Sequence, residues 1–166
     1  LTGIAAVEHL RGRERALTQE VAARDERIRE LQAELKRAKT TRTDVSGLTD
    51  GAVTVGSVTA LAVQVEAGDM DELLAISDRV KQKIGPGAAV VLGAEADGKA
   101  LLTANLTPEA IVAGLSAGAI IREVAPIVGG GGGGKDAMAR AGGKDPSRLA
   151  DALEAARAIL TTPREA

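Results

Sequence analysis

The chain has no cysteine, no phenylalanine, no tyrosine and no tryptophan, and its one histidine is His9. Without cysteine there is neither a disulfide framework nor a thiolate metal site. One histidine excludes a multi-histidine metal centre, and any Ser-His-Asp triad would have to use His9, which reads as a bystander on a charged helix. Without aromatic rings, the stacking by which many single-stranded RNA modules hold their bases is closed to this chain. A nucleic acid bound here has to be recognised by shape, phosphates and 2′-hydroxyls. Long apolar runs are also lacking: none approaches the roughly 18 residues of a membrane span. The N-terminus has no signal-peptide layout, so no membrane partner is expected and the cytoplasm is the expected compartment. The chain begins with Leu1 rather than Met and is expected to be a fragment.

A large excess of one charge is missing too. The net charge is −2 over 166 residues, so no global basic field advertises nucleic-acid binding. Charge is uneven, however. Residues 1–46 carry ten Lys/Arg against eight Asp/Glu, and residues 47–166 carry eleven against fifteen. Hydrophobic residues make up 45%, so a core can be built, but only from Leu, Ile, Val, Ala and two Met.

Residues 5–40 carry one helical pattern. Val7, Leu10, Leu17, Val21, Ile28, Leu31, Leu35 and Ala38 occupy eight of the ten a and d positions of a heptad with a at 7 and d at 10, and the exceptions are Glu14 and Arg24. This 3.5-residue period is a coiled-coil seam. Such a stripe calls for a second chain or a second helix, and Val7, Leu10, Leu17, Val21, Ile28, Leu31 and Leu35 are the candidate dimerisation residues. The arginines from Arg11 to Arg29 alternate with Glu and Asp and read as solvated surface. Residues 40–50 are polar and read as a linker. The expected domains are therefore a helical segment, 1–46, and a globular α/β unit, 47–166.

In the globular unit, Val53, Val55, Val58, Leu61, Val63 and Val65 suggest two short strands broken near Gly56-Ser57. Asp69 caps a helix over 70–84 that turns Met70, Leu73, Leu74, Val80 and Ile84 inward. Ala88–Ala94 reads as a buried central strand. Asp97-Gly98 is a hairpin turn leading into a return strand, Lys99–Asn105. Thr107-Pro108-Glu109 opens a helix running to about Glu123. Asp145-Pro146 opens a last helix striped with Leu149, Leu153, Ala156 and Leu160. The expected fold is α/β: a long coiled-coil-like helix, then a small domain with a mixed sheet flanked by helices, the sheet on one side and the helices on the other.

Gly129, Gly130, Gly131, Gly132, Gly133 and Gly134 are consecutive. Each forfeits about 1 kcal/mol of backbone entropy relative to alanine, so something must require them. A left-handed backbone at several positions, or close approach of bare backbone to another surface, would do so. Both point to a loop facing phosphate. Apolar flanks, Ile127-Val128 and Met138-Ala139, argue against a flexible linker. Gly129, Gly134 and Lys135 fit the spacing of a P-loop, but Asp136 replaces the hydroxyl residue that holds Mg²⁺ and would repel a triphosphate, so nucleotide binding is rejected. Lys135, Arg140, Lys144 and Arg148 make this the most basic stretch of the unit and are the candidate phosphate contacts. Asp136 is expected to cap a following short helix.

The stretch from Ile127 through the six glycines, Lys135-Asp136-Ala137-Met138-Ala139-Arg140-Ala141-Gly142-Gly143-Lys144 and Asp145-Pro146 resembles the C-terminal signature of bacterial alanyl-tRNA synthetases, within the DHH-associated domain. Leu1-Thr2-Gly3 resembles the exit from that family's editing domain. Two features depart from the family: Ala137 stands where an acid is frequent, and one uninterrupted helix replaces a helix pair. The resemblance implies a non-catalytic region that binds the elbow of alanine tRNA, links aminoacylation to editing and often dimerises. Its partners would be alanine tRNA, a second copy, and the catalytic and editing domains of one parent chain. It implies no cofactor in this segment, with ATP, Mg and Zn belonging to the parent alanine–tRNA ligase. Two alternatives are the matching domain of a free-standing alanyl-tRNA editing protein and the substrate lobe of a DHH phosphoesterase. Against the second stand the six-glycine form and the lack of an Asp-His-His motif. A pure oligomerisation element is a third.

Overall fold

The computed structural model describes residues 2–42 and 45–162. Contacts divide the chain into two compact units, Leu1–Arg42 and Thr43–Ala166. The first is a single helix, α1 (Thr2–Arg42). The apolar residues of its heptad seam are all exposed.

The second unit begins in the stretch read as a linker. Thr43 and Asp44 lie outside the described residues. Beyond them Val45–Leu48 forms a helical turn, α2, followed by a 3₁₀ turn at Thr49–Gly51. The linker expectation is corrected here because Val45, Leu48 and Ala52 pack against a hydrophobic core, which folds the segment onto the domain.

The remaining elements are β1 (Val53–Val55), β2 (Val58–Gln64), α3 (Met70–Ile84), β3 (Ala88–Ala96), β4 (Lys99–Leu106), α4 (Pro108–Val112), α5 (Ala117–Val124), β5 (Gly130–Gly134), β6 (Met138–Gly143) and α6 (Leu149–Thr161). The six strands form one sheet in the order β1-β2-β3-β4-β6-β5. Only β2 and β3 are parallel, joined through α3, and every other neighbour is antiparallel. The apolar run Ala88–Ala94 is fully covered, as a strand packed on both faces must be. Asp97 and Gly98 both take positive φ, 51° and 69°, which a two-residue hairpin of the right twist demands.

Helices cover both faces of the sheet, not one. Leu73, Ile76 and Val80 of α3 meet Leu61, Val90 and Leu92 on one face. Ile120 and Ile121 of α5 and Leu149, Leu153 and Leu160 of α6 meet Ala62, Val91, Leu102 and Ala104 on the other. The alternation of inward residues along β2 to β4 serves two cores, so both faces needed a lid. Each fully buried leucine contributes about 1.5–3 kcal/mol. α6 seats closely because Gly93 has no side chain: a Cβ there would stand 2.9 Å from Leu149 Cδ1.

Caps set the helix ends. The Asp69 carboxylate accepts the Glu72 amide at 2.9 Å, and the Glu72 carboxylate accepts the Gly68 amide at 2.8 Å. These reciprocal bonds fix the start of α3. The helix expected over 107–123 is two helices. Gly114 has φ +92°, a left-handed turn that ends α4, and Ser116 restarts the chain as α5 by accepting the Ala119 amide at 3.3 Å.

Candidate nucleic-acid interface

The glycine run is not a loop. Gly129 alone among the six has positive φ, +65°, and turns the chain out of a 3₁₀ segment, Ala125–Val128. Gly130–Gly134 then form β5, the outermost strand, paired antiparallel with β6 in the register Gly130↔Gly143, Gly132↔Ala141, Gly134↔Ala139. The expectation of several left-handed positions is corrected. The second reason for glycine, close backbone approach, is the one that acts here, but only at alternate residues.

Two classes of glycine follow from the period of two along a strand. A Cβ on Gly130 would overlap the Gly142 carbonyl oxygen, one on Gly132 the Arg140 carbonyl and Ala141, and one on Gly134 the Met138 carbonyl. This side is closed. α5 lies over it, with the Gly118 Cβ position 2.9 Å from the Gly134 carbonyl oxygen. Gly131 and Gly133 are different: a Cβ at either would meet nothing within 4 Å. On β6, Ala139, Ala141 and Gly143 are buried while Met138, Arg140 and Gly142 are exposed. The register sets Gly131 beside Gly142 and Gly133 beside Arg140. The sheet thus ends in a bare strip of backbone with one guanidinium standing on it.

The four candidate cations are spread along this ribbon. Arg140 stands at its middle, Lys135 at the β5–β6 turn, and Lys144 just past the far end of β6. All three are exposed, with no side-chain partner among the described residues. Arg148 belongs to a 3₁₀ turn before α6, its Nε 3.4 Å from Asp151 Oδ2. Asp136 does not cap a helix, since a strand follows it. Its carboxylate accepts the Ser116 hydroxyl at 2.6 Å and its carbonyl accepts the Ala117 amide at 2.9 Å. The hairpin tip is thereby tied to the start of α5. The candidate dimerisation residues Val7, Leu10, Leu17, Val21, Ile28, Leu31 and Leu35 lie on α1, each 47–63% exposed.

One cluster was missed in the sequence. Asn105 of β4 is fully buried, and its amide donates to Asp78 Oδ1 at 2.7 Å and Ser77 Oγ at 3.2 Å, while Lys81 Nζ donates to its oxygen at 2.8 Å. Thr103, also buried, donates to the Ala139 carbonyl at 3.2 Å. Their register partners on β6 are Met138 and Arg140, so the cluster borders the bare strip and pins α3 beside it. The alternation Leu101, Thr103, Asn105 in an otherwise apolar strand was the available signal: a polar residue inside a covered strand needs partners.

Fold and strip together define a small α/β module whose mixed sheet ends in a ribbon of exposed main chain. The chain belongs to the DHHA1 domain family, which matches residues 57–162. It is 43% identical over 129 residues to the alanine–tRNA ligase of Pelotomaculum thermopropionicum, covering 76% of this chain and 15% of that protein. It is 38% identical over 138 residues to that of Oceanobacillus iheyensis, covering 78% of this chain and 16% of that one. Its fold is similar to the C-Ala domain from Aquifex aeolicus alanyl-tRNA synthetase, with a TM-score of 0.58 and 27% identity over 67% of this chain and 98% of that one. The chain thus spans 15–16% of the length of these curated relatives. No helix among the described residues is long and apolar enough to cross a membrane.

Proposed function

We propose that this chain is the C-terminal region of an alanine–tRNA ligase, carries no chemical step of its own, and binds the elbow of alanine tRNA. The catalytic and editing centres are assigned to the rest of the longer protein, which this region serves by holding one tRNA for both reactions. α1 is assigned to self-association. The observation that carries the RNA reading is the open side of β5 and β6. Among the described residues a Cβ at Gly131 or Gly133 would meet nothing within 4 Å and one at Gly142 only the Ala100 carbonyl oxygen at 3.9 Å, and glycine in a strand is used where another backbone or a ligand comes close. Folded RNA presents a surface of sugar and phosphate that suits such a strip and needs no aromatic stacking. Lys135, Arg140 and Lys144 supply unpaired positive charge along it, and Arg148 a further charge shared with Asp151.

The test is a gel shift of this chain with alanine tRNA beside a tRNA in which the contact between D- and T-loops is broken. The intact elbow is expected to bind and the broken one to lose affinity. Changing Lys135 and Lys144 together to Glu should weaken binding and reduce the steepness of log K against log salt by about 1–2. Equal binding of both RNAs would remove the elbow from the proposal, and an unchanged salt slope would remove these two lysines.

A further inference from the structure

α1 displays an apolar stripe that nothing in its own unit covers. Val7, Leu10, Leu17, Val21, Ile28 and Leu31 are each 47–63% exposed. Such a seam is buried by a partner helix. The two charged residues inside it, Glu14 at an a position and Arg24 at a d position, say how that partner lies.

In a parallel pair in register, every seam residue meets its own copy. Glu14 would face Glu14 and Arg24 would face Arg24, two repulsive layers in one short coil. In an antiparallel pair, a positions meet d positions instead. One register then sets Glu14 against Arg24 at both ends of the centre, and the same register sets Val7 against Leu31, Leu10 against Ile28 and Leu17 against Val21. Sliding by one heptad destroys this match: Glu14 would meet Leu17 or Leu31, and Arg24 would meet Val7 or Val21, each a seam charge with an apolar side chain rather than an opposite charge across the pair. Polar residues in a seam characteristically fix register in this way. Outside the seam the charges are mixed. Arg11 comes near Asp25 across the pair, whereas Arg13 comes near Arg27 and Glu20 near its own copy. Within each helix Glu20 holds Arg24 at 2.6 Å and Glu30 holds Arg27 at 3.0 Å, which moderates both contacts. Orientation therefore rests on the seam pair.

We propose that α1 forms an antiparallel two-helix coiled coil with a second copy of this chain, in the register that joins Glu14 of each copy to Arg24 of the other. This rests on the self-association assigned above and specifies its geometry. The two chains leave the coil at opposite ends: this register centres the pair on residue 19, which sets the two Arg42 positions roughly 70 Å apart along the axis.

The absence of cysteine makes the test clean. The chain is made as Leu10→Cys and as Ile28→Cys, and the variants are oxidised separately and as an equimolar mixture. The expected result is a disulfide only in the mixture, joining one variant to the other. A disulfide within either variant alone would establish a parallel pair and overturn the proposal while leaving self-association intact. In sedimentation equilibrium, Glu14→Arg should raise the dimer Kd on the order of a hundredfold, because two like-charged layers replace two matched ones. Glu14→Arg with Arg24→Glu should restore it. No change with Glu14→Arg overturns the register. A wild-type chain that stays monomeric at hundreds of micromolar overturns self-association itself, and this arrangement with it.

Discussion

Consecutive glycines in a strand are not equivalent, because the side-chain positions alternate between a closed side and an open one. At Gly132 an added methyl would collide with the Arg140 carbonyl and with Ala141, so β5 would have to lift off β6. Gly132→Ala is expected to destabilise the domain by about 1–3 kcal/mol, the usual penalty for overpacking, and to lower Tm by several degrees. At Gly131 the methyl would enter open space with no positive φ to strain it. Gly131→Ala is expected to leave stability unchanged or raise it by up to about 1 kcal/mol, through a stiffer unfolded chain. The same variant should lose tRNA affinity, because the methyl stands where the RNA backbone is proposed to approach. Thermal melts and gel shifts on the two variants separate the roles. Equal melting of both would mean that the two sides are not distinct, and undiminished binding by Gly131→Ala would take the open side out of the interface.

The elements that were legible in the sequence are those whose side chains carry a signal. Asp69 announced α3, Asp97-Gly98 announced the β3–β4 turn, and the stripe from Leu149 to Leu160 announced α6. β5 was illegible because a run of glycine has no side chains to alternate, and period two is the only sequence sign of a strand. β6 carried a faint sign in Ala139 and Ala141 against Met138 and Arg140, overshadowed by the glycines on either side. The break between α4 and α5 was hidden because Gly114 reads equally as a small face for packing and as a left-handed stop. Apolar spacing alone marks the inward face of α3 and gives no sign of Ser77, whose bond to Asn105 helps to hold α3 beside the ribbon. Asn105→Ala would leave the buried Ser77 hydroxyl and the half-buried Lys81 ammonium without their shared partner. It is expected to cost about 2 kcal/mol, read in urea as a lower midpoint with an unchanged slope. A wild-type midpoint would mean that α3 is held by its apolar contacts with the sheet alone.

At the scale of the whole molecule, the two units depend on different things. Both hydrophobic clusters of the globular unit are built from residues between Val45 and Leu160, so that unit carries its own core. α1 has none: its apolar residues are exposed, and its i,i+3 and i,i+4 ion pairs, Arg27–Glu30 and Arg24–Glu20, contribute only about 0.3–0.5 kcal/mol each. Such a helix gains nothing from tertiary packing of its own, so under the proposed pairing its helicity depends on the partner. Stability of the two units should therefore respond differently to dilution. Circular dichroism at 222 nm is expected to lose the α1 contribution progressively as the chain is diluted below its dimer Kd, with the thermal midpoint of the globular unit unmoved. A chain beginning at residue 43 should show that same midpoint at every concentration. Helical signal independent of dilution, in a chain shown to be monomeric, would mean that α1 stands without a partner, and its apolar stripe would then need an explanation other than pairing.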